Sequence, residues 1–157
     1  MDAAALSQLA RVSRATHRLF TARTLVRKAL DRAADPTIRL PVQLGTQRFP
    51  MQLWPRDYVD FHLYYCGYFD KEEGRLLCAL LEPGAVMFDV GANIGYYTVG
   101  AALCVGPTGK VHAFEPTPGV VRRLVENVAL NGLRQVVVNE VAVADSAGQV
   151  TMHDLPG

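Results

Sequence analysis

The stretch VMFDVGANIGYYT, Val86 to Thr98, decides how the chain is read. A short apolar run ends at Asp89, Gly91 follows at once, and Gly95 stands four positions later. That order predicts a strand that turns sharply into a helix, with each glycine at a place where a side chain would obstruct. Gly91 lets the chain leave the strand tightly, and Gly95 lets the helix and a ligand approach without a Cβ between them. The helix that follows is expected to offer unpaired backbone N–H groups to a ligand. Asp89 lies at the carboxyl end of the strand, where open α/β sheets bind their ligands.

Outward from this turn the rhythm is βαβ. AVMFDV (85–90) reads as a strand, NIGYYTVGAALCV (93–105) as a helix closed by Gly106-Pro107, and GKVHAFE (109–115) as the next strand. TPGVVRRLVENVALNGL (117–133) reads as a helix with Pro118 in its first turn and Asn131-Gly132 at its end. RQVVVNEVAVAD (134–145) reads as a third strand, and GQVTMHD (148–154) as the start of a short extra one. The second strand ends in Glu115, 20 positions after Gly95, where an acid can hydrogen-bond both hydroxyls of a ribose.

Nicotinamide dinucleotides and S-adenosylmethionine share this logic. A dinucleotide needs its pyrophosphate cradled by G-x-G-x-x-G, but the turn here is G-A-N-I-G, with Asn93 where the second glycine would stand. S-adenosylmethionine has no phosphate and carries a cationic sulfonium, which an acid such as Asp89 suits better. The turn favours the methyl donor, and a nicotinamide-binding domain is the weaker reading.

The remainder of the chain reads as an extension. Residues 3–33 have apolar positions near helical spacing with arginines between them, and Asp35-Pro36 stops the pattern. The first 32 residues hold seven arginines and lysines against two aspartates, a local +5 in a chain whose net charge is +1. A peripheral helix with a solvated basic face is the plain reading; a membrane-surface helix or an organellar presequence are the sharper ones. Ile38 to Trp54 alternates with period two around Gly45-Thr46 and reads as a β-hairpin, with Pro41 and Pro50 pushing its strands to an edge. RDYVDFHLYYCGYFD (56–70) is aromatic and gets no assignment; its tyrosines Tyr64, Tyr65 and Tyr68 could touch an acceptor but suit packing better. Asp70 and Glu73 have capping-box spacing at the head of a helix that runs to Pro83-Gly84.

The bulk numbers set limits. A net charge of +1 makes no general case for nucleic acid, and no run approaches a membrane span of ~20 apolar residues. Cys66, Cys78 and Cys104 are odd in number, with no CxxC pair, which fits a reducing compartment and offers neither a disulfide framework nor a metal site. A cytoplasmic location is the default expectation.

FDVGANIGYYT, VHAFEPTPGVVRRLVENVALNGL and VAVADSAGQVT together resemble the FkbM family of S-adenosylmethionine-dependent methyltransferases. The upstream GYFDKEEGRLLCALLEPG is similar to the helix before that family's first strand, so the likeness covers roughly Gly67 to Thr151. It implies an α/β, Rossmann-like class I methyltransferase sheet in residues 81–157, after an α+β extension in residues 1–80. It also implies that Asp89, Gly91, Asn93 and Gly95 line the methionine part of the cofactor and that Glu115 holds the ribose. Adenine contact would fall near Val141 to Val143: Ala142 stands where many relatives place an acid, and Asp145 is the nearby alternative. The implied reaction is O-methylation of a small-molecule or glycan hydroxyl; no catalytic base is identified.

Only strands one to three of such a sheet have candidates, so the sheet is expected to be incomplete, the first strand to lie at its edge, and the pocket to lack one wall. A truncated product, a non-catalytic cofactor-binding remnant, or half of a split enzyme would each fit. The open edge would invite self-association or the missing C-terminal half.

Overall fold

The structure, a computed structural model, describes residues 37–149 together with positions 4, 5, 7, 8, 11 and 28. Most of the helix expected over residues 3–33, and most of the short strand expected from Gly148, lie outside the described residues.

Ile38–Leu44 (β1) and Gln47–Leu53 (β2) form the expected antiparallel hairpin, with Ile38 opposite Leu53 and Pro41 opposite Pro50. Period-two alternation sends Ile38, Leu40, Val42 and Leu44 inward, and both prolines outward. The unassigned aromatic stretch is a helix, Tyr58–Cys66 (α1), closed by Gly67 at φ 85°. It buries Phe61, Leu63, Tyr64 and Tyr65, so two of the three candidate acceptor-contacting tyrosines are core residues. Lys71–Leu80 (α2) leads to the parallel unit: Val86–Val90 (β3), Tyr96–Val105 (α3), Lys110–Phe114 (β4), Pro118–Leu130 (α4) and Val136–Asn139 (β5).

Two expectations are corrected. Asp70 sits at the N-cap of α2 without making a side-chain cap. Its carboxylate and that of Glu73 instead accept the Tyr97 hydroxyl, at 3.3 and 3.1 Å. The third strand stops at Asn139, whose side-chain amide turns back to donate to the Ala113 carbonyl at 3.1 Å. Residues 141–145 are exposed and outside any strand.

The parallel sheet has the order β3-β4-β5, so β3 is an edge strand, and the hairpin is a separate sheet. Helices α3 and α4 cover one face of the parallel sheet, with the hairpin packed outside them. Leu44 reaches so far toward α3 that a Cβ on Gly100 would lie 2.9 Å from it. Asn127 on α4 fastens these layers: its Oδ1 accepts Gln52 N–H at 2.7 Å and its Nδ2 donates to the Ile94 carbonyl at 2.9 Å. The side chain is fully buried, and deleting it would strand backbone groups at about 1–3 kcal/mol each. The opposite sheet face is bare among the described residues. Val86, Phe88 and Val90 are 60–63% exposed there, and Phe88 lies stacked along His112 and Phe114.

Asp60 ties α1 to α4. Its Oδ1 accepts Trp54 N–H at 2.5 Å and pairs with Arg123, which also bonds Asp57 at 2.8 Å. Its Oδ2 is buried without a hydrogen-bond partner. Burial raises its pKa from 3.8 to about 6, against the opposing pull of Arg123 and the Trp54 amide. The folded state therefore holds this proton more tightly than the unfolded state, and the stabilisation is complete below pH 4 and lost as pH rises to 6. Urea titrations of wild type and Asp60→Asn across that window should show the wild type losing up to roughly 3 kcal/mol relative to the variant. A gap that stays constant with pH would show Asp60 already ionised, held by Arg123.

Candidate functional site

The site is built where β3 and β4 end together. Gly91 and Ala92 both donate their N–H groups to the Phe114 carbonyl, at 2.9 and 3.0 Å, which folds the turn across the tip of β4. Gly91 (φ 80°), Asn93 (φ 50°) and Gly95 (φ 92°) all take left-handed backbone, and Asn is the non-glycine residue that tolerates it most readily. The two glycines serve different purposes. A Cβ on Gly95 would lie 2.6 Å from Leu124 Cδ1, so this glycine lets α3 close on α4. A Cβ on Gly91 would meet nothing within 4 Å, so the space beside it is open toward the end of the sheet.

Glu115 follows β4 directly and is only 8% exposed. Its Oε2 accepts the Asn93 N–H at 3.1 Å and its Oε1 accepts the Thr117 N–H at 3.0 Å. The sequence pattern expects this acid at the tip of the second strand; the structure also joins it to the glycine turn by a hydrogen bond. Each oxygen keeps a further lone pair, so the carboxylate can still accept from a ligand hydroxyl.

The turn itself differs from the expectation of free amide donors. Gly91 and Ala92 donate to Phe114, Asn93 to Glu115, Ile94 to the Asn93 side chain at 2.7 Å, and Gly95 to the Ala92 carbonyl at 2.9 Å. All five turn amides have acceptors within the protein. The turn therefore presents carboxylate and open space, in place of a row of amide donors.

Asp89 points to the helix-covered face, opposite to Phe88 and Val90. It is 9% exposed, and its Oδ2 accepts the Thr98 hydroxyl at 2.5 Å, latching β3 to α3. Burial raises its pKa, and the Thr98 hydroxyl and amide oppose that shift. Ala142 and Asp145 are exposed in the loop after β5; Asp145 takes a 3.2 Å hydrogen bond from the Ser146 hydroxyl. Asp89, Gly91, Asn93, Gly95 and Glu115 are thus brought together, whereas Ala142 and Asp145 stand in the exposed loop after β5, away from the turn in sequence, with Asp145 bonded locally at Ser146. Beyond Thr117 lies a hollow of about 670 Å³ lined by Trp54, Gln52, Asp57, Arg122 and Arg123 among others. No local pattern signals it, because its two walls, Thr37 to Asp57 and Thr117 to Glu126, are far apart in the chain.

No family model matches the chain. Over 81 residues it is 38% identical to the protein-L-isoaspartate O-methyltransferase of Aeropyrum pernix, a match spanning 51% of this chain and 30% of that one. Over 79 residues it is 44% identical to the 31-O-demethyl-FK506 methyltransferase FkbM of Streptomyces tacrolimicus, spanning 48% and 28%. The chain thus spans less than a third of the length of these two curated relatives. They are different kinds of methyltransferase, so the likeness does not single out one acceptor. Among solved structures, the M. jannaschii TYW2 in complex with AdoMet superposes with a TM-score of 0.52 at 22% identity, covering 72% of this chain and 45% of that one. The α/β unit has the Rossmann-like fold of class I methyltransferases.

The two glycines should separate in mutagenesis. Gly91→Ala meets only the backbone penalty of a left-handed residue, about 1 kcal/mol. Gly95→Ala adds the clash with Leu124, raising the loss to roughly 3 kcal/mol in denaturant titration. Equal losses would contradict the packing role given to Gly95.

Proposed function

We propose that this chain carries the cofactor-binding front of an S-adenosylmethionine-dependent methyltransferase of FkbM type, acting on a hydroxyl of a small molecule or glycan. The observation that carries the reading is Glu115: a buried carboxylate at the tip of the second parallel strand, bonded to the glycine turn, with acceptor capacity left over. The relatives' methyltransferase chemistry and the solved neighbour's bound AdoMet support the same cofactor.

Bound S-adenosylmethionine would supply an electrophilic methyl group on a cationic sulfur. The chain's own part is positioning, which is where much of the rate gain of a group transfer arises. Glu115 would accept the two ribose hydroxyls and be held for that task by the Asn93 and Thr117 amides. Gly91 would leave room for the methionine part, with Asn93 and Gly95 shaping the turn around it. Asp89 would act mainly by fixing the end of β3 through Thr98, with its negative charge close to the cationic end of the cofactor. Ala142 and Asp145 lie in the loop that would border the adenine. What favours the methyl donor over a dinucleotide is the internal bonding of all five turn amides, which leaves no ready cradle for a pyrophosphate.

The bare sheet face favours a companion reading. Parallel sheets are almost always covered on both faces, and an apolar edge strand pairs readily. Val86, Phe88 and Val90 would be covered by a further βα segment, on the same polypeptide, on a second chain, or through self-association. That segment would complete the acceptor side of the pocket.

Calorimetric titration of the chain with S-adenosylhomocysteine tests the reading. Binding is expected, with Glu115→Ala weakening it by roughly tenfold to a hundredfold, as for lost hydrogen bonds to a charged group. NADH is expected not to compete. Tight NADH binding, or unchanged affinity in the variant, would overturn the assignment.

A further inference from the structure

Sequence spacing offers no disulfide, because Cys78 and Cys104 are 26 residues apart and no CxxC is present. The fold nevertheless brings them together. Cys104 Sγ lies 3.0 Å from Cys78 Sγ, and both side chains are half-buried free thiols, within reach of a small reagent. Closing the remaining distance to a disulfide bond takes a movement of about 1 Å.

The surrounding structure is built to hold the pair in place. Helices α2 and α3 are joined near their first turns by Tyr97 on the carboxylates of Asp70 and Glu73. They meet again near their last turns at the two sulfurs, so they run side by side in the same direction. Tyr97 and Cys104 are two helical turns apart, about 10 Å along α3. Gly45 makes room on the other side: a Cβ there would stand 2.6 Å from Cys78 Sγ. The Leu44 carbonyl, 3.4 Å from the same sulfur, fixes its direction.

We propose that Cys78 and Cys104 are a reversible dithiol–disulfide site that fastens the linking helix α2 to α3, the helix that opens the candidate cofactor turn. The oxidant is a low-molecular-weight disulfide. Cys78, as thiolate, attacks one of its sulfurs, forms a mixed disulfide and releases one small thiol. Cys104 then attacks the Cys78 sulfur, gives up its proton, and releases the second small thiol. The protein loses two electrons and two protons, and the reagent gains them. Burial and the adjacent Cys78 push the Cys104 thiol up to about 12, which leaves Cys78 as the first nucleophile. The 3.0 Å approach of the two sulfurs is what favours the second, intramolecular step. The site is independent of the methyltransferase reading, since it would operate whatever the turn binds.

The test is incubation of the native full chain with glutathione disulfide, followed by mass spectrometry without reduction. Both cysteines fall on one tryptic peptide, residues 76–110, whereas Cys66 falls on residues 57–71. The expected result is a loss of about 2 Da confined to the first peptide, the two hydrogens removed by oxidation. The same step should raise Tm by roughly 5 °C, reversed by dithiothreitol. Cys104→Ser should trap the glutathione adduct on Cys78. Overturning results are a stable glutathione adduct on the wild-type chain without the internal link, a link that forms only in denaturant, or a link that lowers Tm.

Discussion

The structure depends on one carboxylate holding two chain ends of the sheet in register. Glu115 accepts the Asn93 amide from the turn after β3 and the Thr117 amide from the start of α4. A carboxylate buried at the tip of a strand is costly unless its oxygens are hydrogen-bonded, and these two amides meet that need. In return they fix the turn against β4, which the Gly91 and Ala92 bonds to Phe114 reinforce. The same atoms that hold the fold together at this point define the shape and sign of the candidate site. Fold and function share the constraint here.

A second layer of polar ties explains how the N-terminal extension belongs to the same body. Asn127 bonds the hairpin and the glycine turn at once, through Gln52 and Ile94. Tyr96 donates to the Gln43 carbonyl at 2.6 Å and accepts the Phe69 amide at 3.3 Å, from the first turn of α3. Asp60 and Arg123 join α1 to α4. Apart from the Asn127–Ile94 bond, each of these links an element before residue 81 to one after it, and the hydrophobic core likewise runs across that point.

The parts legible in the sequence are those with local signals. Alternation and a Gly-Thr turn identify the hairpin, glycines with positive φ mark the ends of helices, and the strand–turn–helix–strand rhythm locates Glu115. The parts that were not legible depend on distant contacts. Helix α1 has apolar residues around much of its circumference, so it has no helical stripe to read. The Asp70 and Glu73 carboxylates have capping-box spacing, but Tyr97, 27 and 24 residues away, takes both. Val141 to Asp145 has the composition of a strand, yet pairing stops at Asn139. The Cys78–Cys104 approach and the hollow beside Trp54 likewise join segments that no spacing rule relates.

The most direct measurement is a set of amide chemical shifts of the isotopically labelled chain with added S-adenosylhomocysteine, and separately with NADH. The account predicts that S-adenosylhomocysteine moves the amide signals of Asn93 and Thr117, whose acceptor is the Glu115 carboxylate, along with that of Gly91. It predicts no change there with NADH. Shifts across Gly91 to Gly95 with NADH and none with S-adenosylhomocysteine would contradict the central claim, because the turn amides would then be available to a pyrophosphate after all.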